Sequence, residues 1–385
     1  MGANGDDASP SRTALCRKPP KYRVLPRPHT ERIDLGSFQW NAKCSIKTTA
    51  DAAMQAFTDS SDALGDDLAL RTRFEREGYL YLRGIVDREK LADLRREIVA
   101  ICVQHGWIDD GPDPLRAHTC HRPVVEGEAD YFGVYDQIQH LESFHALAHD
   151  PAILAPMRAL LGPSAFPHPL SICRLVFPAN TEWTTPPHQD FPNNQGTTEL
   201  YASWLPLGDC PQALGPLAIL RGSHKLGLLP LKFSLGAGHR QCAMDARHAR
   251  LPWVSGDMAA GDMLIFHSLT VHRALPNLTD CMRLSVDYRF QREGEPLTAQ
   301  SLQPHFQRQA WEAIYRDWRD PSLKYYWRRK TYALASWDAS LHALAPEDWD
   351  DAVRQRMAYD RRIAARSNRA CGDTETGNNT DRRVE

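Results

Sequence analysis

The sequence predicts a mainly β protein, a sandwich or barrel carried by helices, and three observations lead there. Five runs that read as strands fall between residues 171 and 290. Turns bearing Gly and Pro separate them, with no regular helix between one strand and the next. Helical patterns stand before this block and after it. Strands gathered in this way argue for two packed β layers with helical support.

Residues 1–65 form an N-terminal extension, expected to be partly disordered. Arg12, Arg17, Lys18, Lys21, Arg23, Arg27 and Arg32 stand there among prolines, and 47–66 are small and polar. A tail that packs or dangles is the commoner use of such composition than a partner-binding arm. The main domain spans 66–298. Its helix over Leu68–Phe74 leads to Gly78-Tyr-Leu-Tyr-Leu-Arg-Gly84, which alternates like a strand bounded by glycines. Asp87 is placed to cap an amphipathic helix running through Ala92, Leu94, Ile98 and Ile101. A second helical stretch covers Ile138 to Leu161. Then come strands at Ser171–Phe177, Glu199–Leu207, Pro216–Leu220, Met263–His267 and Arg283–Phe290. Residues 299–366 make a helical extension dense in Trp and Tyr, where Trp311 to Trp327 suit core or homodimer packing. Residues 367–385 read as a disordered tail.

Composition narrows the function classes. Of 385 residues, 42% are hydrophobic and 24% charged, enough to bury a sizeable core. Forty-six basic and 48 acidic side chains leave a net charge of -2, so no basic field exists for a dedicated nucleic-acid or anionic-membrane binder. No stretch approaches the ~20 apolar residues of a membrane span. The first residues carry neither a basic nor an apolar leader region, so no secretion signal is expected. Nine cysteines, an odd number without Cys-x-x-Cys, read as reduced thiols of a cytoplasmic protein.

The sharpest local feature is Pro186-Pro187-His188-Gln189-Asp190. In an extended segment i and i+2 share a face, and the prolines disfavour helix, so an imidazole and a carboxylate are presented together. Two histidines and a carboxylate suit non-haem Fe(II), because they leave positions open on one side of the ion. The third ligand must come from afar. His272, after the apolar strand Met263–His267 and a short turn, is the first choice; His267 is the alternative. Arg283 and Ser285 again stand at i and i+2, a cationic fork and a hydroxyl suited to a carboxylate such as that of 2-oxoglutarate.

Two other histidine groups invite a metal and are better explained without one. His145 and His149 have i,i+4 spacing but lack the Glu of a zinc peptidase motif. His118 and His121 lack partnering cysteines.

In these residues the sequence resembles the phytanoyl-CoA dioxygenase-like family of Fe(II)/2-oxoglutarate oxygenases. The resemblance runs from Phe74-Glu-Arg-Glu-Gly-Tyr-Leu-Tyr-Leu-Arg-Gly84 to Phe290. It includes His188-Gln189-Asp190, Gly215-Pro-Leu-Ala-Ile-Leu-Arg-Gly-Ser-His-Lys225, Gly261-Asp-Met-Leu-Ile-Phe-His267, His272-Arg-Ala-Leu-Pro-Asn277 and Arg283. It implies a double-stranded β-helix, the cupin-like jelly roll, with Fe(II) on His188, Asp190 and His272. It also implies 2-oxoglutarate and dioxygen as co-substrates, a small-molecule substrate in secondary metabolism, and Trp204 lining the co-substrate pocket, and it makes His224, a further candidate ligand, a turn residue after a strand. One departure stands out. Arg273-Ala274 follow the distal histidine where the family often has Gly-Ser, which leaves Ser285 as a substitute. The segment from Leu226 to Gly256 is long for the family and is expected to form a lid or substrate loop. Halogenating relatives replace the carboxylate by Ala or Gly, so Asp190 favours oxygenation. The competing class is a cupin-like protein that binds a metal or ligand without turnover.

Overall fold

Among the described residues thirteen strands form two facing sheets and two small ribbons. In chain order they are β1 (Tyr79–Leu82), β2 (Ala165–Pro167), β3 (Ile172–Val176), β4 (Tyr201–Pro206), β5 (Leu217–Leu220), β6 (Leu231–Phe233), β7 (Arg240–Cys242), β8 (Trp253–Val254), β9 (Met263–His267), β10 (His272–Ala274), β11 (Arg283–Arg292), β12 (Leu297–Thr298) and β13 (Leu334–Ala335). The larger sheet runs β1-β9-β4-β11-β2, with β3 also on β11, and the smaller runs β10-β5-β8. This is the expected jelly roll. The computed structural model describes residues 54–344 and 346–372.

Alternation along the strands decides what each sheet face meets. On β11 Leu284, Val286, Tyr288 and Phe290 join the helix-facing core together with Leu80, Leu82, Met263, Ile265 and Leu205. That core takes in α1 (Asp67–Glu77), α2 (Arg88–Gln104) and α3 (Ala129–Ile138). On the opposite face Tyr79, Tyr81, Ala202, Trp204, Leu264 and Phe266 meet Leu217, Ile219 and Ala274 of the smaller sheet. The same inward face of β11 carries Arg283, Ser285, Asp287, Arg289 and Gln291, all buried. A polar row inside a sandwich is costly unless paired, and here it builds the site.

Local chemistry accounts for the element ends. Asp87 caps α2 by accepting from Glu89 N at 2.9 Å. The stretch expected as one helix over 138–161 is divided into α4 (Glu142–Ala146) and α5 (Pro151–Leu161). Pro151 disfavours helix at Asp150, which instead caps α5 through Ala152 N. Asp262 pins the β1 turn to the sheet: it accepts from Gly84 N and Ala259 N at 2.9 Å and from the Tyr81 hydroxyl at 2.6 Å. Its neighbour Gly261 has φ +97, and a Cβ there would meet Val86 O at 2.7 Å.

Residues 54–60 lie on the sandwich, with Gln55 bridging to Val254 and Asp59 to Tyr81; the basic Pro-rich segment lies outside the described residues. Past 300 the chain is mostly short turns rather than long helices. Prolines 304 and 321 interrupt it, and Trp311, Tyr315, Trp318 and Trp327 hold it by ring packing. A four-residue α7 (Trp311–Ile314) and the long α8 (Pro346–Gly372) are its regular parts, and α8 runs past Arg366. None of the described helices is long and apolar enough to cross a membrane.

Candidate functional site

Two backbone hydrogen bonds bring the first histidine to the second. His188 N donates to His272 O at 2.9 Å and His272 N to His188 O at 3.0 Å, so the rings lie 4.1 Å apart between centroids. Extended backbone ends at Asp190, which turns into the short helix α6 (Phe191–Asn194) with its N bonded to Ser268 O. Its Oδ1 lies 4.0 Å from His188 Nε2 and 3.9 Å from His272 Nε2. Ligand atoms of His188, Asp190 and His272 all fall within 4.8 Å of one another.

Both imidazoles are held in one tautomer. Nδ1 of His188 is 2.8 Å from Pro186 O, and Nδ1 of His272 is 3.0 Å from Thr270 O. A carbonyl only accepts, so each Nδ1 carries the hydrogen and each Nε2 keeps a lone pair facing Asp190. Burial, helped by the neighbouring His272 ring, pushes His188 down to about 3. Burial also lowers His272. Neutral imidazoles are the metal-binding form. Burial works against ionised Asp190, yet the charge and hydrogen bonds of the Arg289 guanidinium hold it well below the usual carboxylate range.

Arg289 belongs to a buried chain of alternating charges. Arg289 Nη2 donates to Asp190 Oδ1 at 3.0 Å, and its Nη1 is 3.7 Å from Asp287 Oδ2. Arg174 donates to Asp287 at 3.0 Å through Nε and to Glu126 at 3.0 Å through Nη1. Every member is paired, which is what burial of charges requires.

Arg283 is different. It is fully buried, stacks over Trp204 at 5.6 Å, and donates through Nη1 to Gly215 O, while its Nε has no partner. Trp204 Nε1 is likewise unpartnered. Both residues line a small cavity with His188, His272, Leu217 and Phe266. Orphaned N–H donors around a cation are what a carboxylate satisfies, so this donor set suits a carboxylate of 2-oxoglutarate. Ser285 Oγ is buried and unpartnered too, but Ser285 is not on that wall.

A larger cavity of about 300 Å3 opens beside His188 and Asp190. Its walls include Glu126, Arg174, Arg240, Arg289, Leu231 and Phe306. The β6–β7 hairpin within 226–256 supplies part of this wall, and His305 and Phe306 come from the C-terminal extension.

His267 lies away from the triad. Its place on β9 alternates with Leu264 and Phe266, so it faces Phe74 and Tyr201, with Nδ1 accepting from Leu269 N at 3.0 Å. His224 bonds Glu75 O at 3.1 Å, and His145 bonds Gln139 O at 3.0 Å. Asp109, His118 and Cys120 also bring ligand atoms together, at the surface. Sequence reasoning did not assign Asp287, Arg289, Arg174, Glu126 or Arg240 to the site. A signal for the first two existed, since they continue the i, i+2 phase of Arg283 and Ser285.

The family model described as phytanoyl-CoA dioxygenase (PhyH) matches residues 74–285. The 1-deoxypentalenic acid 11-beta-hydroxylase of Streptomyces arenae is 26% identical over 252 residues, covering 61% of this chain and 84% of that protein. The enzyme of the same description from Streptomyces exfoliatus is 25% identical over the same shares. Among solved structures, the epimerase SnoN in complex with Fe3+, alpha ketoglutarate and nogalamycin RO is 21% identical. It covers 71% of this chain and 96% of its own, with a TM-score of 0.48.

Proposed function

Since the chain belongs to the phytanoyl-CoA dioxygenase family, we propose that His188, Asp190 and His272 hold its iron and that Arg283 anchors 2-oxoglutarate. The protein is a 2-oxoglutarate-dependent non-haem iron oxygenase acting on a small molecule. When bound, Fe(II), 2-oxoglutarate and dioxygen together supply the oxidant that converts a substrate C–H bond to C–OH, with release of succinate and carbon dioxide.

The observation that carries the ligand assignment is the paired tautomer: two neutral imidazoles offer Nε2 to the space that Asp190 Oδ1 also faces. Arg283 contributes a fixed positive charge and an unpaired N–H to the neighbouring cavity, and Trp204 contributes an indole N–H. Ser285 stands two residues on, on the same face of the strand, with its hydroxyl buried and unpartnered. Phe266 and Leu217 keep that cavity apolar between its donors. The larger cavity takes the substrate, and its position beside both His188 and Asp190 puts a C–H bond within reach of the centre.

Residues 66–298 form the oxygenase domain in this reading, and 299–366 complete the substrate wall through His305 and Phe306. A natural product is the substrate class that agrees with the Streptomyces hydroxylases. Anaerobic loading with Fe(II) and 2-oxoglutarate, followed by air, tests the function. Iron-dependent succinate formation is the expected result, and a protein that binds both without ever forming succinate is a metal- and ligand-binding protein instead.

A further inference from the structure

Four guanidinium groups line the two adjoining cavities, those of Arg174, Arg240, Arg283 and Arg289. Three carboxylates face them, Glu126, Asp190 and Asp287. His188 and His272 each donate Nδ1–H to a backbone carbonyl and keep Nε2 for the metal, and His305 Nδ1 faces the Tyr135 hydroxyl at 2.6 Å, so none of the three imidazoles adds a charge. A ferrous ion and a 2-oxoglutarate dianion cancel each other. The loaded site therefore keeps one positive charge in excess.

That excess falls on Arg240. Arg174 and Arg289 share Glu126, Asp287 and Asp190 between them, and Arg283 is taken by the co-substrate. Among the described residues Arg240 has only backbone partners: its Nε donates to His342 O at 2.9 Å and its Nη1 to Gly238 O at 3.3 Å. Neither bond uses Nη2, and neither carbonyl neutralises the charge. Burial disfavours its cationic form, and no carboxylate among the described residues offsets this. A half-buried cation left in that state inside a cavity is a counterion site.

Its position suits a substrate. Arg240 and Cys242 share a face of β7, and Cys242 N donates to Pro187 O at 2.8 Å, so the hairpin is pinned to the segment that carries His188. The rest of the cavity wall offers Leu170, Ile172, Leu231 and Phe306 to an apolar skeleton. We propose that the substrate is a small carboxylic acid, bound as its anion, and that Arg240 holds the carboxylate while the skeleton crosses the cavity toward His188 and Asp190. This rests on the iron and 2-oxoglutarate reading above. A single excess charge matches a monoanion better than a phosphate monoester, and about 300 Å3 is too little for a coenzyme A thioester.

The test uses the full chain loaded anaerobically with Fe(II) and 2-oxoglutarate. Decanoic, cyclohexylacetic and adamantane-1-carboxylic acids are each titrated beside their methyl esters and primary alcohols, by calorimetry and by perturbation of the visible iron–2-oxoglutarate charge-transfer band. At least one acid should bind about tenfold or more tighter than both of its neutral forms. Arg240→Ala should reduce that preference to about twofold or less, and Arg240→Lys should keep part of it. Were Arg240 only a strut for the His342 carbonyl, its loss would weaken acid, ester and alcohol alike. An unmodified protein that prefers no acid, or a preference that survives Arg240→Ala and Arg240→Gln, overturns the proposal. Absence of the charge-transfer band in the unmodified protein is a different failure: it overturns the iron reading, and the acid preference with it.

Discussion

Arg289 grips both oxygens of Asp190, with Nη2 3.0 Å from Oδ1 and Nε 3.2 Å from Oδ2. The pair is buried on both sides. The fork fixes the plane of the carboxylate, and a carboxylate oxygen has more than one lone-pair direction, so Oδ1 can still face the two Nε2 atoms.

Removing one partner of a buried pair leaves the other charge uncompensated. Arg289→Ala should therefore destabilise the metal-free protein by about 3–5 kcal/mol, measured by urea unfolding. A bound ferrous ion also compensates Asp190, so the deficit should narrow when unfolding is repeated with iron. Equal deficits with and without iron would mean that Asp190 does not face the metal.

The ligand variants should separate by stability as well as by iron content. His188→Ala and His272→Ala remove neutral rings, so metal analysis should show iron lost at a cost of only about 1–2 kcal/mol in folding. Asp190→Ala should lose iron and also destabilise strongly, because it orphans Arg289. His267→Ala should keep its iron, since that ring lies by Phe74 and Tyr201. Iron retained in His272→Ala and lost in His267→Ala would reverse the assignment.

Arg283 should govern co-substrate affinity. Truncation deprives a carboxylate of a desolvated charge partner, a loss of about 2–5 kcal/mol, so Arg283→Ala should raise the 2-oxoglutarate KM roughly thirtyfold or more with iron still bound. Gly215, whose carbonyl receives Arg283 Nη1, has φ +82, and a Cβ there would meet Leu275 O at 2.4 Å. Gly215→Ala should raise the same KM by displacing that carbonyl. An unaltered KM in Arg283→Ala would move the anchor to another cation, and Arg174 and Arg289 are already paired.

Strand alternation made much of this site legible. His188 and Asp190 at i, i+2, and Arg283 and Ser285 likewise, are local patterns that need no tertiary knowledge. The row Asp287, Arg289, Gln291 continued the pattern, but buried faces are normally apolar, so a polar inner row is not what strand patterning leads one to expect. Glu126 and Arg240 had no such signal. One lies in a loop and the other at the turn end of a hairpin, and only tertiary packing brings them to the cavity. The aromatic C-terminal segment had helical composition, yet ring packing around Trp311 and Trp327 stabilises a turn-rich path that propensity cannot reveal.

Buried His168 should make stability depend on pH. Burial, against the hydrogen bond that His168 Nε2 donates to Gln291 Oε1, pushes its pKa down from 6.5 to about 4. The unfolded chain takes up a proton as pH falls below 6.5 and the folded chain does not until about 4. Its contribution is thus complete above 6.5 and is lost as pH falls toward 4, by about 2 kcal/mol between roughly pH 7 and pH 5. Urea unfolding at both values should show His168→Gln losing less stability over that interval than the unmodified protein. An identical loss in the two would assign the dependence to other groups, among them His145 and His149, both also lowered to about 4.

Asp190 and Arg289 together also predict how the site treats halide. In the unmodified protein Asp190 neutralises Arg289 and fills the position a halide would take, so chloride finds neither that position vacant nor a free counter-charge, and turnover in excess chloride should give oxygenated product alone. Asp190→Ala removes the carboxylate and leaves the Arg289 guanidinium buried beside the vacated position. An anion that binds only the folded state stabilises it by RT ln(1 + [L]/Kd), about 2.7 kcal/mol at a hundred times Kd. Raising chloride at constant ionic strength, with perchlorate-free sulfate as the balancing salt, should therefore raise the melting temperature of Asp190→Ala well beyond that of the unmodified protein. The double variant Asp190→Ala, Arg289→Ala has no orphaned cation and should lose the effect. A chloride response that persists in the double variant would place the halide elsewhere, and a halogenated product from the unmodified enzyme would take Asp190 off the metal.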